Sequence, residues 1–141
     1  MKHVKCILTV LGVAVFVGAG DFVIHALLLG NDYQALSTVW RSKEEIARIQ
    51  PLMFLANLVV ALGLVWVYDQ GKKDKPFLIQ GLRFGVGMSL VSVIPNSLIY
   101  YVLLPYPCTL VVKQIVFMVI QFMLTGILVA RLRRDAEPCC V

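Results

Sequence analysis

Asp21 and His25 lie four residues apart inside an apolar run, so a helix of 3.6 residues per turn sets the carboxylate and the imidazole one above the other. Such a pair can pass a proton, or bind a cation or polar solute. Asn57, Asn96 and Gln121 also sit deep in apolar stretches, and each brings both a donor and an acceptor to the same chemistry. The five residues admit a plainer reading as well. In it, Asp21 is a helix-packing acceptor satisfied by His25, Asn96 or Gln121 and never changes state. An ionised carboxylate in hydrocarbon costs at least about 2.5–3.5 kcal/mol, so under either reading Asp21 needs a partner. His25 has the chemistry of a single ligand to a tetrapyrrole or metal. His3, the only other histidine, lies at the far end of the same run, so no cofactor and no metal is expected.

The rest of the chain fixes the setting of these groups. Of 141 residues, 60% are hydrophobic and 15% charged, a balance that water-soluble domains do not normally reach. Four runs have the length needed to cross hydrocarbon: about 6–29, 51–68, 84–104 and 110–130. The expected fold is therefore a single all-α domain over 1–141, a bundle of four transmembrane helices with a loop at 31–50 and a tail at 131–141. The net charge of +5 is spread between apolar runs rather than gathered on one face, which argues against a nucleic-acid partner. A secretory leader ending near Val17-Gly18-Ala19-Gly20 is the rival reading of the first run.

Lys and Arg divide unevenly between the two sides. With the amino terminus inside, Lys2, Lys5, Lys72, Lys73, Lys75, Arg83, Arg131, Arg133 and Arg134 fall on the inner side, and Arg41, Lys43, Arg48 and Lys113 on the outer. Short loops rich in these residues stay in the cytoplasm, so both termini are expected there, in a bacterial cytoplasmic membrane. Ser42-Lys43-Glu44-Glu45 has the spacing of a capping box and predicts a short interfacial helix leading into the second span, interrupted at Pro51. Ile46 and Ile49 would face membrane or bundle.

Small and polar residues share one stripe on each span. Ala14, Gly18, Asp21 and His25 do so on the first, Asn57 and Ala61 on the second, Gly81, Gly85, Ser89, Ser92 and Asn96 on the third, and Gln114, Met118, Gln121 and Thr125 on the fourth. Membrane helices place such residues against one another, because close backbone approach and interhelical hydrogen bonds replace the missing hydrophobic drive. Asp21, Asn57, Asn96 and Gln121 are each about 9–12 Å below the outer ends of their helices, which implies one polar layer. Pro95 predicts a kink beside Asn96. Matching Asp21–Leu29 to Asn96–Leu104 aligns Ile24 with Ile99 and Leu28 with Leu103, the pattern of a duplicated helical hairpin with Asp21 and Asn96 facing across a pseudo-twofold.

Cys6, Cys108, Cys139 and Cys140 show no paired spacing and predict no disulfide framework. The vicinal thiols lie on a tail whose Cys-Cys-Val ending lacks the four-residue prenylation box. Asp21-Phe22-Val23-Ile24-His25, Leu27-Leu28-Leu29, Tyr33, Trp40-Arg41 and Gly81-Leu82-Arg83-Phe84-Gly85 together resemble an uncharacterised family of small bacterial four-span integral membrane proteins. The resemblance implies the fold and no activity. No nucleophile stands with a base and an orienting group, so an enzyme is not expected. Two functions remain: an accessory or assembly subunit whose partners are other membrane proteins, and a small transporter or channel working through the five polar residues.

Overall fold

The computed structural model describes residues 2–34, 36, 41–73 and 76–134, and among them every regular element is helical. Four helical rods are long and apolar enough to cross a membrane: Val4–Leu28, Pro51–Gly71, Phe77–Leu103 and Cys108–Leu132. The protein is an all-α four-helix membrane bundle. The first rod is α1 (Lys2–Phe22) continued by a π-helical stretch, Val23–Leu28. Two short helices follow, α2 (Gly30–Gln34) and α3 (Lys43–Ile49), and then α4 (Pro51–Gly71) as the second rod. The third is α5 (Phe77–Met88), a π-helical stretch Ser89–Val93, and α6 (Ile94–Leu103); the fourth is α7 (Cys108–Leu132).

Helix α3 begins as its residues dictate. The Ser42 hydroxyl accepts from the Glu45 backbone N–H, and the Ser42 N–H donates back to the Glu45 carboxylate at 3.0 Å. That backbone hydrogen bond, helped by the one from the Ser42 hydroxyl, holds Glu45 below the usual carboxylate range. Ile46 and Ile49 are exposed, so they face away from the bundle. Pro51 opens α4, where its missing N–H removes no bond that a helix start would make.

The third rod starts at Phe77, seven residues before the expected boundary at 84. Gln80 and Arg83 at its interfacial end interrupt the apolar run without interrupting the helix. Its interior line is Gly81, Gly85, Ser89, Val93 and Ser97, all buried and spaced strictly by four. An ideal α-helix drifts off a period of four, and the wider π turn at Ser89–Val93 takes up part of that drift. The same turn accommodates Pro95, whose ring cannot sit against the carbonyl four residues back. Ser89 and Ser92 hydroxyls donate to the carbonyls of Gly85 and Met88, at 2.8 and 2.7 Å.

Helix α7 is central: it packs on α1 along one side and, most closely, on α5 along another, while α4 lies against α1. The α5–α7 contact is backbone on backbone. A methyl group at Gly81 would stand 2.6 Å from Ile127 Cα, and one at Gly85 would stand 2.5 Å from the Phe122 carbonyl oxygen. At Gly126 it would run into the Gly81 carbonyl. Each sequential pair, α1 with α4 and α5 with α7, packs as a hairpin, but the pseudo-twofold expected between the two units is not matched. α1 packs on α7, but α4 has no comparable packing on α5 among the described residues, and the two π turns do not correspond in the 21/96 alignment. Leucine-rich helices align readily because they share a solvent, which is why the match in sequence is not a match in packing.

Gly85→Leu is expected to weaken the bundle by at least about 1–3 kcal/mol, the range for forcing bulk into a filled contact. Gly63→Leu, at a site where an added methyl meets nothing, is the control. Denaturation in mixed micelles reads both, and equal loss at the two positions would show that α5–α7 contact is not what holds the fold.

Candidate functional site

Two apolar clusters make up the core. At the end bearing the termini, Val10, Val13 and Val17 of α1 meet Ala61, Val65 and Tyr68 of α4 and Val129 and Ala130 of α7. At the opposite end, Ile24 and Leu29 meet Tyr106, Leu110 and Val111. Between them lie three residues of the hydrophilic layer expected from sequence, Asp21, Asn57 and Gln121.

Gln121 is its centre. The side chain is 5% exposed, and its Nε2 donates to Asp21 Oδ1 and to the Val17 carbonyl, both at 3.0 Å. One amide therefore satisfies a carboxylate and a backbone group of α1 at once, and α7 is tied to α1 at this depth. The tie needs a small neighbour: a methyl at Gly20 would stand 2.8 Å from the Gln121 amide. Gln121 Oε1 accepts no hydrogen bond among the described residues, a cost the site carries. Thr125 donates to the Gln121 carbonyl at 2.8 Å. Asn57 reaches the same layer from α4, with its Nδ2 3.1 Å from where a Gly18 methyl would be. Ala14 and Gly18 are half-buried beside this line rather than at its centre.

Two of the five expected site residues stand apart. Asn96 is exposed on the outer face of the third rod, and its neighbour Ser97 is buried in its place. The reason is the π turn, which rotates everything after Val93 relative to a uniform α-helical stripe. His25 is half-buried, and its bond is not to Asp21: Nδ1 lies 2.8 Å from the Tyr33 hydroxyl, with the rings stacked 5.8 Å apart. Beside it, burial, helped by Tyr106 and the charge of Asp32, raises the Tyr33 phenol to about 12. Burial also raises Tyr106, with Tyr100 adding to it. Asp32 in turn pairs with Lys113 at 2.9 Å, closing the loop end against the start of α7. The carboxylate and imidazole of the i, i+4 pair thus hydrogen-bond to different partners, Asp21 to the α1–α7 seam and His25 to the loop cap.

Sequence reasoning missed the best-formed polar contact. Arg133 Nε and Nη2 donate to Asp69 Oδ1 and Oδ2 at 2.9 and 2.8 Å, and the two side chains are 1% and 2% exposed. Lys72 Nζ donates to the Arg133 carbonyl at 2.6 Å. The cluster fastens the last turn of α4 to the end of α7. A signal existed: Asp69 is the acidic residue directly after the apolar run ending at Tyr68, and Arg133 is the second arginine after the run ending at Ala130. Both read as ordinary interfacial charges because sequence does not show that the two helix ends meet.

No three His, Cys, Asp or Glu side chains among the described residues are grouped to hold a metal. Cys108 is free and exposed. Cys6 is disulfide-bonded. Trp40, Lys75 and tail residues 135–141, Cys139 and Cys140 among them, fall outside the described residues. No family model matches the chain, and neither a curated protein nor a solved structure is significantly similar to it.

Removing one partner of a buried ion pair leaves an uncompensated charge, so Arg133→Gln is expected to cost about 3–5 kcal/mol. Replacing both partners by apolar residues, as in Asp69→Leu with Arg133→Met, is expected to recover most of that loss. Unfolding titrations of the single and double variants check this. A single variant as stable as the native chain would mean the pair contributes nothing.

Proposed function

We propose that the chain is a non-catalytic subunit of a larger bacterial membrane assembly, seated on a partner through the outer face of its third span. The observation that carries this reading is Asn96. Its side chain is exposed about 10 Å below the end of the helix at Leu103, at hydrocarbon depth, where an amide facing lipid leaves two donors and an acceptor unmet. Polar side chains at that depth act as glue between helices. On the same side of the helix, three, four and seven residues on, Ile99, Tyr100 and Leu103 are 53%, 51% and 70% exposed. A partner helix on this face would take up the Asn96 amide by hydrogen bonding and pack on its apolar rim.

The transporter reading draws on Asp21 and Gln121, but the layer it needs has lost two members. Asn96 faces outward, His25 is engaged with Tyr33, and Asp21 is held by the same amide that caps Val17. These contacts suit a packing seam better than a solute path.

A photoreactive residue at position 99 should give an adduct of one defined protein mass in native membranes, whereas the same probe at position 15, exposed on α1, should not. Asn96→Leu should remove the adduct and leave the melting of the purified chain unchanged. Lipid adducts alone at both positions would sink the reading.

For orientation, the nine-to-four division of Lys and Arg supports cytoplasmic termini. The disulfide at Cys6 points the other way, since cytosolic thiols are kept reduced. Cys108, free at the opposite end, decides between them. A membrane-impermeant maleimide added to intact cells labels it if the termini are inside and spares it if they are outside.

A further inference from the structure

We infer that the cleft between the end of α4 and the start of α5 is a binding site for the headgroup of an anionic phospholipid. The cleft encloses about 290 Å³ and lies at the end of the bundle that carries the termini, where hydrocarbon gives way to headgroups. It exists because α4 and α5 do not pack on one another as α5 packs on α7. Its walls divide by chemistry: Val67 and Phe84 are apolar, while Lys73, Arg83, Gln80 and the Tyr68 ring edge the polar part. That division suits a molecule with a charged head and a greasy tail better than a free anion.

Three observations give the polar part its sign. Lys73 and Arg83 both line it, and no carboxylate among the described residues forms an ion pair with either. Lys73 is held in position through its backbone: with the Gln80 amide oriented so that both ends are satisfied, it donates to the Lys73 carbonyl at 2.9 Å and accepts from the Lys73 N–H at 2.7 Å. Finally, α5 begins beside the cleft with no acidic residue in its first turn and no side-chain cap, which leaves the positive end of its dipole uncompensated. Basic pockets between transmembrane helices at the membrane surface recognise phosphodiester headgroups in this way. Gly71 lines the mouth, where even an added methyl would meet nothing within 4 Å. The inference rests on the four-span fold and is independent of any partner at Asn96.

The test is retention of lipid by the full chain released from bilayers of phosphatidylcholine with one-fifth phosphatidylglycerol, counted by native mass spectrometry. One phosphatidylglycerol per chain is expected to stay bound. The Lys73→Gln, Arg83→Gln pair should lower its retention roughly tenfold or more, given the attraction each cation exerts near an anionic surface. The pair Lys73→Arg, Arg83→Lys should restore retention, which separates lost charge from lost fold. Removing two charges elsewhere at the same end, Lys5→Gln with Arg131→Gln, should leave retention as in the native chain. Equal loss in both charge-removal pairs would overturn the inference, as would equal retention of phosphatidylcholine. Inorganic phosphate at millimolar concentration should not displace the lipid; if it does, the site takes a free anion and the lipid assignment fails.

Discussion

In a bilayer an apolar side chain is as well solvated by lipid as by protein, so these four helices associate through whatever lipid cannot offer. In this chain that is first the backbone contact between α5 and α7. Gly81, Gly85 and Gly126 remove the side chains that would hold the helices apart, and the two rods approach until main-chain atoms touch. Dispersion between closely packed atoms is individually small and grows with their number, so a seam several turns long outweighs any single polar bond. The remaining packing follows from where this seam places α7. Once α5 occupies one flank of α7, α1 takes another, and α4 is left to pack on α1.

Polar groups then fix depth and register, which glycines cannot do. Gln121 engages α1 at one level through both a carboxylate and a carbonyl, so a slip of one turn between α1 and α7 would strand Asp21 in hydrocarbon. Asp69 and Arg133 do the same at the end bearing the termini, with bidentate geometry that allows one relative orientation of the α4 and α7 ends. Asp32 with Lys113, and His25 with Tyr33, close the opposite end more loosely, because these pairs are partly solvated. The buried ties lie on α7's contacts with α1 and α4, whereas the α5–α7 seam is glycine against backbone. The bundle thus uses two kinds of adhesive on different faces of the same helix.

What could be read from the chain divides along the same line. Span number, the capping box at Ser42 and Glu45, and the small-residue face of the third span are local properties of composition and period, and they were legible, whereas Gly126, which meets that face from α7, was not singled out. Gln121 was legible as well, since a buried amide on a stripe with Thr125 has to meet something. Asn96 was misplaced because period arguments assume one helical pitch. The π turn is the structure's answer to a backbone carrying Pro95 and a line of small residues spaced by four. Asp69 and Arg133 are 64 residues apart in the chain, and only the packing of α4 against α7 reveals that they meet.

That pair also bears on the cleft. Arg133, Asp69 and Lys72 satisfy one another on the α7 side of α4's last turn, while Lys73, one residue on, is held by Gln80 on the α5 side. Adjacent lysines therefore take opposite roles. Lys72 neutralises the carbonyl end of α7 by hydrogen bonding to Arg133, and Lys73 leaves its charge to whatever enters between α4 and α5. Had both lysines faced the Asp69 cluster, the cleft would keep Arg83 alone, and a single exposed cation gives little discrimination between an anionic headgroup and a zwitterionic one. The break in helical geometry at Lys72, where α4 gives way to extended backbone, is what turns the two side chains apart. A local event at one helix end thereby sets both the closure of the bundle and the charge of the groove beside it.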